Sequence, residues 1–128
     1  MTKRMVRVFL AGAIALGALG VVVPASARPG DVVTSGACHG RAEWRMRGRI
    51  AHGNVKVRYV VDADIPGLTW LVRISANNVL LFNGSRVTDS SGDFEVRIRK
   101  EDRLGTDAFD ATATNTTTGE TCAGNLTI

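Results

Sequence analysis

Apolar and polar residues alternate without a break from Cys38 to Ile50. The even positions, such as Cys38, Trp44 and Ile50, are apolar or small, and the odd positions, from His39 to Arg49, are all polar or charged. Because successive side chains of a strand point to opposite faces, this pattern predicts a strand with one core face and one charged face. We take it as the first strand of the fold.

The same alternation recurs down the chain and is interrupted by turn-forming residues. Ala51-His52-Gly53-Asn54 predicts a hairpin, and Asn77-Asn78 and Asn83-Gly84 predict further turns. No segment after residue 27 combines a 3.6-residue apolar period with helix caps. Seven or eight short strands therefore predict a single all-β domain, an antiparallel two-sheet sandwich of the immunoglobulin-like kind, with a small barrel as the alternative.

Residues 1–27 have the composition of a secretory signal peptide. Three basic residues precede an uncharged run from Val8 to Val23, and a small-residue cleavage pattern ends at Ala27. The run has 16 residues, whereas a membrane-spanning helix needs about 18 to 20. We therefore expect cleavage after Ala27 by the general secretion route, a secreted protein, and no transmembrane anchor after cleavage.

Removal of the predicted signal changes the charge of the protein. The chain has 16 Lys and Arg and 12 Asp and Glu; three of the basic residues lie in 1–27, which leaves 13 against 12, a net charge of +1. The basic character of the whole chain is therefore no indication of nucleic-acid binding. Residues 28–36, which include Pro29 and Gly30, are predicted to form a flexible leader before a sandwich domain at 37–128.

The chain has two cysteines, Cys38 and Cys122. In an exported protein two cysteines usually pair, so we predict a disulfide that joins the first strand to the last. Such a bond closes a loop of more than 80 residues, which the chain-entropy model values at about 4 to 5 kcal/mol. If both cysteines begin their strands, the two strands lie side by side in the same direction.

Several short motifs are spread over the predicted domain. Cys38 is followed six residues later by Trp44, and the chain also contains Thr69-Trp70 and Phe82-x-Gly84-Ser85-Arg86. The closing motif is Asn115-Thr116-x-Thr118-Gly119-Glu120-x-Cys122-x-Gly124. Together they resemble small secreted actinobacterial proteins of uncharacterised function with an immunoglobulin-like β-sandwich. The resemblance implies a secreted sandwich with structural motifs and no catalytic residues.

The charged face of the first hairpin is the main candidate for a functional surface. If Ala51 pairs with Asn54, like charges face each other across the two strands, which is unfavourable unless something offsets it. Acidic neighbours on a solvated face would do so, and so would an anionic partner held by arginine. The candidate binding residues are Arg41, Arg45, Arg47, Arg49, Lys56 and Arg58. We expect an anionic cell-envelope polymer, a membrane surface or an acidic protein as partner, and no nucleic acid, because no aromatic residue is interleaved among these positions.

The remaining candidates are weaker. The apolar run Val79 to Phe82 is expected to be covered core, with an exposed edge for a partner or a second copy as the alternative. Both tryptophans are in phase with the core. The aspartates at 62–64 and 89–93 are explained by turns rather than calcium. No catalytic, metal or cofactor motif is recognisable, so we expect a non-catalytic protein without a cofactor; the alternative is a small secreted hydrolase or enzyme inhibitor.

Overall fold

The computed structural model describes residues 30–128, and this range contains eight strands and no helix. The predicted signal peptide lies outside the described residues. The strands are β1 (Val32–Ala37), β2 (Glu43–Ala51), β3 (Asn54–Asp62), β4 (Thr69–Ala76), β5 (Val79–Val87), β6 (Asp93–Glu101), β7 (Ala108–Asn115) and β8 (Thr121–Thr127). The all-β prediction is confirmed.

The eight strands form two four-stranded antiparallel sheets. Sheet A has the order β1-β2-β3-β6, and sheet B has the order β5-β4-β7-β8. The hairpins β2–β3, β4–β5 and β7–β8 stay within one sheet, whereas the connections β3 to β4, β5 to β6 and β6 to β7 cross between sheets. The fold is thus a two-sheet sandwich, as predicted, and not the alternative barrel.

Two hairpin turns have the backbone that their sequences predict. His52 and Gly53 between β2 and β3 have φ of 54° and 76°, and Asn77 and Asn78 between β4 and β5 have φ of 50° and 66°. Positive φ at both central residues is typical of the tight turns whose twist matches that of the flanking strands. The first turn sets the β2–β3 register, in which Ala51 pairs with Asn54, as the sequence predicts.

The core lies between the sheets and consists of the inward side chains of the alternating strands. Trp70, Tyr59 and Met46 are fully buried there. The Trp70 ring packs against Phe94 with centroids 6.0 Å apart. Trp44 is half-buried against the same core. Both tryptophans are therefore core residues, as predicted.

The N-terminal part of the sandwich differs from the prediction in two ways. The expected flexible leader is wrong from residue 32 onward, because Val32–Ala37 pairs with β2 as strand β1. The predicted first strand begins too early, because residues 38–42 form a loop and β2 starts at Glu43. The carboxylate of Glu120 fixes this loop by accepting hydrogen bonds from the backbone N–H groups of Gly40 and Ala42, at 2.8 and 2.9 Å.

The predicted disulfide Cys38–Cys122 is present, with a Cα–Cα distance of 4.4 Å. It joins the loop after β1 to β8, and therefore connects sheet A to sheet B. The expectation of two neighbouring strands in the same direction is wrong, since Cys38 lies in a loop and Cys122 lies in the opposite sheet. The bond closes the two sheets at one edge of the sandwich.

The apolar run Val79 to Phe82 and the segment after it form one strand rather than two. Asn83-Gly84, predicted as a turn, lies in the middle of β5 and pairs with β4. A Cβ on Gly84 would lie 3.1 Å from the Phe82 ring. Glycine at this position therefore makes room for Phe82 within the strand and does not mark a chain reversal.

Candidate functional site: the basic face of sheet A

Six basic side chains occupy two adjacent rows on the outer face of sheet A. β2, β3 and β6 lie side by side, and the outward positions of each strand align with those of its neighbours. We call this surface the basic face. Row 1 consists of Arg47, Arg58 and Arg97; row 2 consists of Arg49, Lys56 and Arg99. Four of the 16 basic residues of the chain precede residue 30, which leaves 12 in the described range. The basic face contains six of these 12.

The two rows line an open groove of about 400 Å³. Besides the six cations, the groove is lined by Val57 and Ile98, which lie between the rows on β3 and β6. Neighbouring strands are about 4.8 Å apart, and alternate residues of one strand are about 6.6 Å apart. Each row therefore spans about 10 Å across three strands, and the rows are separated by about 7 Å.

Row 1 is partly neutralised by carboxylates. Glu95 on β6 forms ion pairs with Arg58, at 2.9 Å, and with Arg97, and Asp31 lies 4.0 Å from Arg47. Partial burial raises the pKa of Glu95, but the hydrogen bond from Arg97 and the charge and hydrogen bond of Arg58 outweigh it, so the net pKa is below its ordinary value. Glu95 is therefore an ionised counter-charge for row 1.

Row 2 has no such counter-charge. Within residues 30–128, no carboxylate oxygen lies within 4 Å of the basic groups of Arg49, Lys56 or Arg99. The three cations are direct neighbours across the strands, an arrangement that is unfavourable for the isolated sheet. Row 2 is thus the part of the basic face with the strongest uncompensated positive charge.

The opposite end of the same face is acidic. Glu43, Asp62 and Asp93 form a row across β2, β3 and β6 in the same way that the cations do. Beyond row 2, at the β2–β3 turn end, the outward position of β6 is Glu101, which forms an ion pair with Arg103. The cations of the basic face therefore lie between carboxylates at the two ends of the strands.

The predicted binding residues fall into two groups. Arg47, Arg49, Lys56 and Arg58 come together in the basic face, and the predicted pairs Arg49–Lys56 and Arg47–Arg58 are direct cross-strand neighbours. The other two candidates lie outside the rows. Arg45 is in the next row, beside Val60 and Glu95, and Arg41 is exposed in the 38–42 loop, where no strand continues the alternation.

Two members of the basic face, Arg97 and Arg99, are not among the sequence candidates. Their alternation with Phe94, Val96 and Ile98 is visible in the sequence and indicates an outward position. Nothing in that local pattern shows that β6 pairs with β3, because this contact joins strands separated by two other strands in the chain. The sequence therefore predicts two-thirds of the face and misses the strand that completes it.

The second candidate surface, Val79 to Phe82, is exposed rather than covered. Val79, Leu80 and Leu81 are 62%, 43% and 38% exposed, and Phe82 is partly buried against the core. The expectation of a covered run is wrong, because β5 is the edge strand of sheet B and no other strand of residues 30–128 pairs with its free side. The alternative, an exposed apolar edge, is what the fold presents.

Titratable groups with shifted pKa values outside the basic face have structural partners. Burial raises the pKa of Tyr59, and a hydrogen bond from Lys100 lowers that of Asp107. His39 and His52 lie beyond opposite ends of β2. The part of the chain covered by the structure contains no group of three or more His, Cys, Asp or Glu side chains arranged to hold a metal ion.

No family model matches the chain, and no curated protein is significantly similar to it in sequence. The charge and shape of the protein surfaces are therefore the basis for inferring a function. Residues 30–128 include no helix that is long and apolar enough to cross a membrane.

Proposed function

We propose that this chain is an exported, non-catalytic binding protein whose basic face docks on a linear anionic polymer of the cell envelope. The single observation that carries the proposal is row 2, in which three neighbouring cations have no carboxylate partner among residues 30–128. Like charges in register lower stability. A bound polyanion would offset that cost.

The geometry favours a polymer with repeated anionic groups. A chain lying in the groove between the rows would meet up to three cations on each side, at intervals of about 5 Å. Arginine presents a planar fork of donors that matches phosphate or carboxylate oxygens, and five of the six residues of the basic face are arginines. Because such a polymer repeats its anionic group, several contacts would form at once. Together they would compensate for the modest strength of each exposed contact.

A membrane surface is a weaker match for the same charges. Proteins that lie on membranes usually add exposed apolar or aromatic side chains that enter the headgroup region. The six basic residues have no aromatic neighbour on the outer face of sheet A, and the exposed apolar residues of β5 lie in the other sheet. We therefore propose a polyanion of the cell envelope, rather than the membrane surface, as the ligand.

Export is supported by the composition of residues 1–27 and is compatible with the disulfide Cys38–Cys122, which an oxidising compartment preserves. The resemblance to small secreted actinobacterial proteins stays a prediction and implies no ligand. The absence of catalytic activity is likewise part of the proposal.

The test is retention of the purified protein on four immobilised probes over a range of salt concentrations: isolated bacterial cell wall, inorganic polyphosphate, vesicles of anionic phospholipid and an acidic protein. The row-2 variant Arg49→Ser/Lys56→Ser/Arg99→Ser removes three charges from the basic face. The matched control, Arg73→Glu/Arg86→Ser, lowers the net charge by the same three units in sheet B. We expect salt-sensitive retention that the row-2 variant loses and the control keeps.

Equal retention of the two variants would show that net charge alone is responsible and would contradict the proposal. Retention only on vesicles of anionic phospholipid would assign the face to membranes, and retention only on an acidic protein would assign it to a protein partner. Either result would overturn the polymer assignment.

A further inference from the structure

A cleft of about 450 Å³ lies between the start of β5 and the connection from β6 to β7. One wall contains Val79 and Leu81 of β5, and the other is formed by the segment 100–107. The cleft shares no lining residue with the groove of the basic face. Its volume lies within the range of sites that hold small molecules.

The β5 wall accounts for the exposed apolar run at the start of that strand. Leu80 and Phe82 pair with consecutive residues of β4, so Leu81 between them is the extra residue of a β-bulge. The bulge allows Leu81 to line the cleft beside Val79 while Phe82 packs against the core. Bulges often redirect a side chain next to a binding site. The irregularity in β5 therefore shapes the cleft.

The opposite wall carries the most exposed large apolar side chain among residues 30–128. Leu104 lies in the loop after β6 and is fully exposed. A single exposed leucine on a protein surface needs no explanation. This one, however, lines the same cleft as Val79 and Leu81, from the other side. Apolar side chains on two walls favour a ligand that has an apolar part.

The buried side of the cleft is polar and is held in place by hydrogen bonds. Asp107 Oδ1 accepts hydrogen bonds from Asn77 Nδ2 at 2.8 Å and from Lys100 Nζ at 2.9 Å. Asn77 Oδ1 in turn accepts one from the Ala108 N–H at 2.9 Å. These bonds join the β4–β5 turn to the segment before β7, so the two walls are connected to each other. The site is therefore preformed, as small-molecule sites usually are.

Two hydrogen-bonding positions of this polar group are not used by the described residues. Asp107 is 4% exposed, and its Oδ2 accepts no hydrogen bond from residues 30–128. Lys100 Nζ donates to Asp107 Oδ1 and to the Glu101 carbonyl, which leaves one of its three N–H groups without an acceptor in that range. Buried polar oxygens normally have a partner. A hydroxyl group, which both donates and accepts, matches the two positions.

The charged side chains that line the cleft compensate each other. Lys100 pairs with Asp107 at 2.9 Å, and Arg103 pairs with Glu101 at 3.0 Å. The cleft therefore has no net charge, in contrast to row 2 of the basic face. A charged head group would find no uncompensated counter-charge there, whereas an uncharged one loses nothing by this balance.

We propose that this cleft binds an uncharged amphiphile, whose hydroxyl-bearing head group contacts Asp107 and Lys100 and whose short alkyl or acyl chain packs between the apolar side chains of the two walls. The proposal combines three observations: the bulge that directs Leu81 to the cleft, the exposed Leu104 on the other wall, and the buried carboxylate oxygen without a partner in residues 30–128. It does not depend on the proposed function of the basic face.

The probe is hexyl glucoside, an uncharged amphiphile, added below the concentration at which it forms micelles. Binding is followed by the NMR chemical shifts of the isotope-labelled protein. We expect saturable shifts of the backbone amides in segments 77–81 and 100–107. Glucose, which lacks the chain, and hexyl sulfate, which has an anionic head group, should bind to these segments about tenfold more weakly or less.

Two variants test the two parts of the site. Leu104→Ser changes a fully exposed residue, so the fold should be retained, and is expected to weaken binding of hexyl glucoside about tenfold. The matched control is Leu71→Ser, at a position of β4 that is 54% exposed and outside the cleft, which should leave binding unchanged. Asp107→Asn keeps Oδ1 for Asn77 and Lys100 but replaces Oδ2 by a donor, and should also weaken binding about tenfold.

Four results would overturn the inference. They are the absence of saturable shifts in the two segments, unchanged affinity of Leu104→Ser, unchanged affinity of Asp107→Asn, and equal affinity of these segments for hexyl sulfate and hexyl glucoside. Because no residue of the two rows is involved, such a result would leave the retention test of the basic face unaffected.

Discussion

The Tyr59 hydroxyl on β3 donates a hydrogen bond to the backbone carbonyl of Cys122 on β8, across the two sheets, with an oxygen–oxygen distance of 3.2 Å. Tyr59 is fully buried, and its acceptor belongs to the residue that also forms the disulfide. The hydrogen bond from Tyr59 and the disulfide to Cys38 therefore both attach to Cys122 on β8. Each connects sheet A to sheet B.

Burial raises the pKa of Tyr59, the single tyrosine of the chain, well above its ordinary value of about 10. Because the folded-state pKa exceeds the unfolded one, the neutral phenol stabilises the fold below about pH 10, and this contribution is lost as pH rises further. Tyrosinate absorbance should therefore appear only with unfolding, measured by circular dichroism in the same titration. Reversible ionisation near pH 10 in the folded protein would contradict this.

The disulfide should contribute more to stability than any single non-covalent contact. It closes a loop with a sequence separation of 84 residues, for which the chain-entropy model gives about 4 to 5 kcal/mol. We expect Cys38→Ser/Cys122→Ser to lower the free energy of unfolding by up to about that amount in urea denaturation. The matched measurement is urea denaturation of the wild-type protein after reduction of its disulfide. An unchanged unfolding midpoint would show that the inter-sheet core and the Glu120 contacts are sufficient.

Local sequence pattern predicts the strands well because alternation and turn chemistry are local properties. The β2–β3 register followed from the four residues between Ile50 and Val55, and the structure has the same pairing. The predictions are wrong where contacts between residues that are distant in the sequence determine the local structure. β1 forms because β2 offers a partner, and residues 38–42 leave the strand because Glu120, about 80 residues away, binds their backbone.

The basic face shows the same division between local and long-range information. The hairpin cations were predictable, whereas the neighbour of β3 was not, since β6 returns to sheet A only after two strands in sheet B. The sequence predicts that acidic residues balance the hairpin, and Glu95, in the row next to row 1, does so by pairing with Arg58 and Arg97. In row 2 the same strand instead adds Arg99, which increases the positive charge.

Asp107 should make the protein sensitive to acid. Its Oδ1 accepts hydrogen bonds from Lys100 at 2.9 Å and Asn77 at 2.8 Å, and the hydrogen bond from Lys100 is the main cause of its lowered pKa. Because the folded-state pKa is below the unfolded value of about 3.9, the carboxylate stabilises the fold above about pH 4. That contribution is lost as pH falls through the folded-state pKa.

The measurement is urea denaturation of the wild type and Asp107→Asn at several pH values. We expect Asp107→Asn to be less stable at neutral pH, by about 1 to 3 kcal/mol, and to lose less stability on acidification. The control is Asp110→Asn, which changes an exposed aspartate on β7. If the stability of the two variants depends on pH in the same way, the contacts from Lys100 and Asn77 do not keep Asp107 ionised in the folded protein.

Glu95→Gln provides a test of row 1 in ligand binding. The change removes the carboxylate that pairs with Arg58 and Arg97, so both cations become available to a polyanion. Exposed ion pairs contribute about 0 to 1 kcal/mol, so the loss of stability should be small. We expect tighter, more salt-sensitive retention on immobilised polyphosphate than for the wild type.

The matched control is Asp110→Asn, which removes one negative charge from an exposed position of β7 in the other sheet. If general electrostatic attraction were responsible, both variants would gain equally. A gain confined to Glu95→Gln would place the ligand against row 1 as well as row 2. Equal retention of Glu95→Gln and the wild type would restrict the ligand to row 2, since a polymer between the rows must approach Arg58 and Arg97.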